Sequence, residues 1–181
     1  ARELTPQLIE NGRICSALIV SPPGGGKTTL LRDIARRISN GEATGKPVRT
    51  AIIDERGEIA ASRYGIAQND VGILSDVFDL YPKHIGMLHA IRSMSPGVLI
   101  CDEIGDQADA EAILTCFHAG VPMILSAHAG SRQELRKREH IMRIIEKGVI
   151  EKIVFLDVSP KPGTITGIDT PRSLRLREER E

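Results

Sequence analysis

A glycine-rich segment between an apolar run and a helical pattern most constrains the fold of this 181-residue chain. The segment reads SPPGGGKTT and occupies residues 21–29. Glycine lets backbone N–H groups curl around an oxyanion, and the N-terminus of a following helix adds partial positive charge. A buried strand, a glycine loop and a helix that begins Lys-Thr are therefore typical of a loop that binds phosphate.

The segment matches the phosphate-loop template G-x-x-x-x-G-K-[ST] except at its first position, where Ser21 replaces glycine. We expect Lys27 to place its charge on the β- and γ-phosphates of a nucleotide, and the Thr28 hydroxyl to ligate Mg²⁺. The residues predicted to bind nucleotide are Pro22, Pro23, Gly24, Gly25, Gly26, Lys27, Thr28 and Thr29. The alternative is a glycine-rich turn with an incidental lysine.

Apolar runs alternate with helical patterns along the rest of the chain. Buried strands are predicted at residues 16–20, 49–53, 98–101, 122–125 and 149–158, the last being the final strand. Helices are predicted at residues 30–38, 82–95, 110–119 and 131–147, with a loop-rich stretch at 56–80 and a frayed helix or tail at 174–181. This alternation predicts an α/β fold with a mainly parallel sheet flanked by helices on both faces. Together with the glycine loop, the expected fold class is a P-loop NTPase with a RecA-like sheet.

The domain organisation is expected to be simple. Residues 1–15 are predicted to form an N-terminal lead-in, residues 16–160 a P-loop ATPase domain and residues 161–181 a C-terminal extension. The chain begins with Ala1, and only about twenty residues precede the glycine loop. We therefore expect the chain to be an excised or processed piece that lacks its upstream domain.

Two acids follow the apolar run at residues 98–101, where a strand is predicted to end. Ligands of open parallel sheets lie beyond the carboxyl ends of the strands, so these acids should face the phosphate loop. Asp102 is predicted to hold Mg²⁺ together with Thr28, and Glu103 to orient and deprotonate the attacking water. An exposed acidic turn without a catalytic role is the alternative.

Two other strand ends carry candidate functional residues. Asp54, Glu55 and Arg56 follow one predicted strand, where Glu55 could share the metal–water network and Arg56 could reach a phosphate. Structural salt bridges are the alternative for this group. His128 follows another strand and could sense the γ-phosphate or hydrogen-bond Glu103; a satisfied core histidine is the alternative.

The composition narrows the classes of partner. Lys+Arg and Asp+Glu each number 24, which gives a formal net charge of zero, and aromatic residues make up 3% of the chain. Without a basic footprint or many stacking platforms, no nucleic-acid partner is expected. The 3 cysteines form no CxxC pair, which favours reduced thiols in a cytoplasmic protein. No apolar run approaches ~18 residues, so direct membrane insertion is not expected.

Four segments resemble the stage III sporulation protein AA family, of the additional-strand, catalytic-glutamate class of P-loop ATPases. They read SPPGGGKTTLLRDIAR, IIDERGEIA, IRSMSPGVLICDEIG and AGVPMILSAHA, and the resemblance extends over about residues 18–155. It implies a cytoplasmic ATPase, related to type II and type IV secretion ATPases, that uses ATP and Mg²⁺. It also implies a homo-oligomer, a hexameric ring, peripheral to a membrane complex on the mother-cell side, with the channel proteins of the sporulation apparatus as partners.

The resemblance also implies residue roles. Asp54 and Glu55 match the acidic box of secretion ATPases, Glu103 the catalytic glutamate and His128 the histidine box. The candidates for charge stabilisation across a subunit interface are Arg56, Arg63 and Arg92. The chain departs from the family at Ser21, where glycine is usual, and at Leu74, where arginine is common.

These observations predict an Mg²⁺-dependent ATP hydrolase, with Glu103, Lys27 and Glu55 as the catalytic residues. A non-hydrolysing, nucleotide-gated scaffold of the sporulation channel is one alternative. A nucleic-acid motor is another, because the predicted helix at residues 131–147 is rich in Arg and Lys, although a solvated helix face explains this composition. A small-molecule kinase would need an acceptor pocket, and the sequence indicates none.

Overall fold

Seven strands form one central sheet behind a small N-terminal hairpin in the computed structural model, which describes residues 2–176. In chain order the strands are β1 (Ile9–Glu10), β2 (Arg13–Ile14), β3 (Ala17–Ser21), β4 (Thr50–Asp54), β5 (Ser75–Asp79), β6 (Val98–Cys101), β7 (Met123–His128), β8 (Lys152–Asp157) and β9 (Thr164–Asp169). The hairpin pairs β1 with β2, and the main sheet has the order β5-β4-β6-β7-β3-β8-β9. All neighbouring strands of the main sheet are parallel except β8 and β9.

Helices cover both faces of this sheet. They are a 3₁₀ helix (Thr5–Leu8), α1 (Lys27–Ser39), α2 (Lys83–Ser93), α3 (Gln107–His118), α4 (Arg132–Arg136), α5 (Glu139–Glu146) and α6 (Pro171–Leu176). Every residue of β3 is buried, as expected for a parallel strand covered on both sides. Leu18 packs in the core with α2, α3 and α5, while Ile19 packs in the core with α1. The predicted α/β architecture is therefore confirmed.

Strand register brings the polar strand ends together at one edge of the sheet. Ser21 at the end of β3 lies beside His128 at the end of β7. Cys101, the last residue of β6, pairs with Leu125 on one side and with Ile53 on the other. Because each chain segment then leaves the sheet at the same level, the acids that follow β4 and β6 emerge beside the loop that follows β3.

The predicted loop-rich stretch at residues 56–80 is wrong in its last part. Residues 75–79 form β5, which pairs in parallel with β4 along its whole length. The strand reads SDVFD, and no residue in it is fully buried. An edge strand packs on only one side, so it carries no continuous apolar run for sequence periodicity to detect.

The single helix predicted at residues 131–147 is also wrong, because the chain forms two short helices. Lys137 ends α4, and Arg138 leaves the helical conformation with φ −89° and ψ 89° before α5 begins. Leu135 and Ile141 are both buried. Six residues apart, these two side chains would point to different sides of a continuous helix, and the break lets both reach the core.

The sheet continues beyond the strand predicted to be final. That strand begins at Lys152, later than expected, and β9 then pairs with it in antiparallel orientation. Helix α6 covers part of the predicted tail, whereas residues 177–181 lie outside the described residues. The division of the chain at residues 15 and 160 stays a prediction. Within residues 2–176, none of the helices has the length and apolar character needed to cross a membrane.

Candidate functional site

The glycine loop joins the end of β3 to the start of α1 and forms the floor of a cleft. Gly24 and Gly26 have φ of 74° and 81°, in the left-handed region that favours glycine. Gly26 directly precedes α1, and no side chain caps this end of the helix, so its backbone N–H groups suit an anion. The cleft has a volume of about 350 Å³ and is lined by Gly24, Gly25, Gly26, Lys27, Thr28, Thr29, Arg56, Glu58, Asp102, Glu103 and His128.

The loop accommodates Ser21 at the position where the template has glycine. The Ser21 hydroxyl donates to the Pro22 carbonyl oxygen at 2.8 Å and lies 3.1 Å from the Lys27 amine. A Cβ atom on Gly25 would lie 2.2 Å from Ser21 Oγ. The serine therefore fits because the residue facing it has no side chain. Pro22 and Pro23 lie outside the cleft lining, although Pro22 contributes its carbonyl oxygen to the loop.

Lys27 is nearly buried, and its amine lies among oxygen and nitrogen acceptors. Burial lowers the pKa of Lys27, and the charges of Asp102 and Glu103 oppose that effect. The amine lies 2.8 Å from His128 Nδ1. Because an ammonium group only donates, Nδ1 is the acceptor and the proton of His128 is on Nε2. Nε2 lies 3.6 Å from Glu103 Oε1, which places His128 between the lysine and the glutamate.

Asp102 and Thr28 meet beside the glycine loop. Thr28 Oγ1 donates to Asp102 Oδ2 at 2.5 Å, and the Ser126 hydroxyl donates to the other carboxylate oxygen. Hydroxyl and carboxylate oxygens are the hard ligands that Mg²⁺ prefers. In the part of the chain that the structure describes, no group of three or more His, Cys, Asp or Glu side chains could hold a metal ion. Binding of Mg²⁺ by Thr28 and Asp102 therefore stays a prediction.

Glu103 enters the cleft from a strained backbone. Its φ is 54°, a left-handed value that is rare for a residue with a long side chain. The Glu103 N–H donates to the Ser126 hydroxyl at 2.9 Å, and its carboxylate pairs with Arg56 at 2.5 Å. Strain of this kind persists where surrounding contacts fix it, and it is common at functional sites.

Asp54 and Glu55 have different surroundings. Buried Asp54 accepts hydrogen bonds from the backbone N–H groups of residues 58–60, so it fixes the turn after β4. Glu55 pairs with Lys83 at 2.6 Å and lies in a smaller neighbouring cleft beside Arg56, Asp102 and Glu103. Burial acts to raise the pKa of Glu55, but the hydrogen bond and charge of Lys83 outweigh it and hold the pKa below its ordinary value. The catalytic role of Glu55 stays a prediction.

Arg63 and Arg92 are not brought to the cleft. Arg63 is exposed in a turn where its backbone pairs with Ile66, and its guanidinium lies 5.5 Å from the centre of the Tyr64 ring. Arg92 is exposed in the last turn of α2. Their assignment to an interface between subunits stays a prediction.

Three residues that lie near the site were not identified in the sequence analysis. Ser126 bonds to Asp102 and Glu103, while Lys83 and Asp109 lie behind Glu55 and the Glu103 loop. Ser126 lies two residues before His128, so strand alternation could have placed both on one face. No local signal marks Lys83 or Asp109, because each is defined by a contact across the fold.

Solved structures of secretion and pilus ATPases share this fold. The VirB11 ATPase of the Brucella suis type IV secretion system aligns with a TM-score of 0.65 at 17% identity, over 97% of this chain and 55% of that one. The Legionella pneumophila ATPase DotB aligns with a TM-score of 0.62 at 18% identity, over 86% and 43%. The pilus retraction motor PilT, solved with bound ADP, gives 0.63 at 15% identity, over 97% and 53%. The predicted P-loop ATPase fold is therefore confirmed.

Sequence comparison gives the family. The family model for sporulation stage III, protein AA, matches residues 1–176. Stage III sporulation protein AA of Bacillus subtilis is 45% identical over 168 residues, which is 93% of this chain and 54% of the relative. SEEDLING PLASTID DEVELOPMENT 1 of Arabidopsis thaliana is 30% identical over 157 residues, 86% of this chain and 22% of that protein. The chain thus spans about half the length of its B. subtilis relative. With a family match that covers all the described residues, this chain belongs to the family of sporulation stage III protein AA.

Proposed function

We propose that this protein is an Mg²⁺-dependent ATP hydrolase that serves a sporulation channel as a motor. The observation that carries the proposal is the meeting of the segments that follow β3 and β6 in one cleft. Lys27, Asp102 and Glu103 line the same space, although they come from two separate segments of the chain. An anion-binding loop, a magnesium-type oxygen pair and a carboxylate beside them are the parts that phosphoanhydride hydrolysis needs.

The loop and Lys27 would hold the triphosphate. Backbone N–H groups of the glycine loop and the N-terminus of α1 would surround the β- and γ-phosphate oxygens, and Lys27 would add a charge. Thr28 and Asp102 would hold Mg²⁺, which supplies charge neutralisation to the phosphate oxygens when bound. Both residues already lie at hydrogen-bond distance from each other, so their oxygens converge on one point.

Glu103 would activate the water. Its carboxylate would take a proton as the water oxygen forms a bond to the γ-phosphorus. The bond from that phosphorus to the β–γ bridging oxygen would break, and its electron pair would leave on ADP. His128, held by Lys27, would orient the Glu103 carboxylate through Nε2. Arg56 is 60% exposed, so its guanidinium could move from Glu103 to a phosphate oxygen.

Assembly and location form the wider part of the proposal. The family and the secretion-ATPase fold support a ring-shaped homo-oligomer, a hexamer, on the mother-cell side of the channel. Arg63 and Arg92 would then act on the nucleotide of a neighbouring subunit. An arginine supplied across an interface raises phosphoryl-transfer rates by ~10³-fold or more, so turnover should rise with assembly.

The test measures ATP binding and phosphate release separately in the assembled protein. Glu103→Gln should keep ATP affinity and lower phosphate release by ~10²–10⁴-fold, because it removes a general base. Lys27→Ala should lose ATP binding, and EDTA should stop release by the wild type. Glu111→Gln, an exposed change on α3, is the matched control and should behave as the wild type. Wild-type release no faster than that of Glu103→Gln would instead identify a nucleotide-gated scaffold.

A further inference from the structure

A largely buried ion cluster lies behind the cleft, where α2 and α3 begin. Lys83, the first residue of α2, lies 2.6 Å from Glu55 and 3.7 Å from Asp109. The Asp109 side chain, in the first turn of α3, is only 4% exposed, and the Lys83 side chain is 15% exposed. Lys83 is thus the cation between one acid at the end of β4 and another on α3.

Asp109 also holds the loop that carries Glu103. Its Oδ2 atom accepts a hydrogen bond from the Gly105 N–H at 3.1 Å. The two preceding N–H groups are fixed as well, because Glu103 donates to the Ser126 hydroxyl and Ile104 donates to the Ser126 carbonyl oxygen at 2.9 Å. Three consecutive N–H groups are therefore tied, two to β7 and one to Asp109.

These ties matter because Glu103 has a left-handed φ of 54°. Such a conformation is strained and persists only where the neighbouring contacts enforce it. Ser126 can fix the Glu103 end of the loop, whereas at the other end the Gly105 N–H donates to Asp109. A buried carboxylate without a cation would be unfavourable at Asp109. The Lys83 cation therefore supports the carboxylate that accepts the hydrogen bond from Gly105.

We infer that Lys83 and Asp109 are positioning residues for hydrolysis, which hold Gly105 and thereby keep the Glu103 carboxylate directed into the phosphate cleft. This inference rests on the proposed function for its kinetic consequence. Glu55 then contributes as the second anion of Lys83. The ion cluster couples the starts of α2 and α3 to the catalytic loop.

The kinetic test uses Lys83→Met and Asp109→Ala in the assembled chain. We expect kcat to fall by about 10–100-fold, as for other residues that orient a catalytic group, while ATP affinity changes less than about twofold. Lys83→Arg, which keeps the cation, should restore most of the activity. Asp169→Asn is the matched control, because it alters another buried carboxylate, which pairs with Arg132. It should lower stability and leave kcat unchanged.

A second readout does not need turnover. Amide hydrogen exchange at residues 103–105 should become faster in Lys83→Met and Asp109→Ala, while exchange in the glycine loop stays as in the wild type. Unchanged exchange at these residues would overturn the inference, whatever the rate of hydrolysis. An equal loss of kcat in the Asp169→Asn control would also overturn the inference, because it would show that kcat merely follows stability. A loss of ATP affinity as large as the loss of kcat would overturn it as well. If the wild type released no phosphate, only the proposed function would be contradicted. The hydrogen-exchange result would still decide whether Lys83 and Asp109 hold the loop.

Discussion

At the scale of single residues, the glycine loop contains a pair, Ser21 and Gly25, in which each residue limits what the other can be. Ser21 departs from the phosphate-loop template, yet its hydroxyl lies near the Lys27 amine and fills the space above Gly25. Gly25 does not have a left-handed φ, so its backbone conformation does not by itself exclude a residue with a side chain. A Cβ atom at this position would lie 2.2 Å from Ser21 Oγ and 3.1 Å from the Pro22 carbonyl oxygen, so the requirement for glycine comes mainly from Ser21.

This pairing predicts a compensating double substitution. Gly25→Ala should cost about 1–3 kcal/mol of unfolding free energy, because the new methyl group overlaps Ser21 Oγ. Ser21→Gly in the same chain should recover most of that loss. Urea unfolding of the wild type, both single variants and the double variant gives the coupling energy directly. Additive effects of the two changes would show that the overlap is relieved in another way.

At the scale of elements, the two caps of α3 and α4 show how local chemistry sets helix boundaries. Asp106 precedes α3 and accepts a hydrogen bond from the Asp109 N–H at 2.8 Å, while Ser131 precedes α4 and accepts from the Glu134 N–H at 3.1 Å. The α3 cap matters more to the site, because Asp109 follows it within the first turn. A loosened start of α3 would displace the side chain that bonds Gly105.

The cap of α3 can be tested with two substitutions of the same residue. Asp106→Ala should cost about 1 kcal/mol, since it leaves a helix N–H group without its acceptor. Asp106→Asn should cost much less, because an amide oxygen caps about as well as a carboxylate. Thermal or urea unfolding measures both. An equal loss in the two variants would mean that the charge of Asp106, rather than its hydrogen bond, stabilises the helix.

At the scale of the whole molecule, ion pairs join distant parts of the chain to the sheet. Arg132 of α4 donates to Asp169 of β9 at 2.6 Å, and its guanidinium lies 4.2 Å from the centre of the Phe155 ring on β8. Asp169 is almost fully buried. This single arginine thus connects a short helix with the antiparallel edge of the sheet.

Removal of that arginine should destabilise the fold. Arg132→Ala should cost about 2–3 kcal/mol, less than for a fully buried pair because the Arg132 side chain is 24% exposed. Arg143→Ala, which removes an exposed partner at 4.0 Å from Glu111, should change stability by no more than about 0.5 kcal/mol. The two midpoints in urea decide the comparison. Similar losses would assign the effect of Arg132 to general helix packing.

A second long-range pair predicts how stability depends on pH. Glu151 accepts from Arg13 and from the Ser16 N–H, and so ties the hairpin to the sheet. The Arg13 hydrogen bond holds the pKa of Glu151 below its ordinary value of 4.5, although burial opposes this. A lowered pKa in the folded state adds stability at pH values above the ordinary pKa. That added stability is lost as the pH falls through the lowered pKa.

We expect Glu151→Gln to lose stability at pH 7 and to show a shallower decline in acid than the wild type. Urea midpoints measured from pH 7 down to about pH 3 give the two curves, because this range spans the ordinary titration of a glutamate. The difference between the proteins should shrink as the pH falls. Parallel curves would mean that Glu151 acts through packing alone.

The glycine loop, the buried strands and the acids that follow them could be predicted from the amino-acid sequence, because each depends on neighbours within a few residues. Local patterns could therefore predict the fold class and the contents of the cleft. The folded structure was needed to show that β5 joins the sheet, that His128 lies between Lys27 and Glu103, and that Lys83 lies beside Asp109. Those features come from strand register and helix packing, which bring together residues far apart in the chain. Their energies belong to the folded state as a whole, so no short stretch of sequence carries their signal.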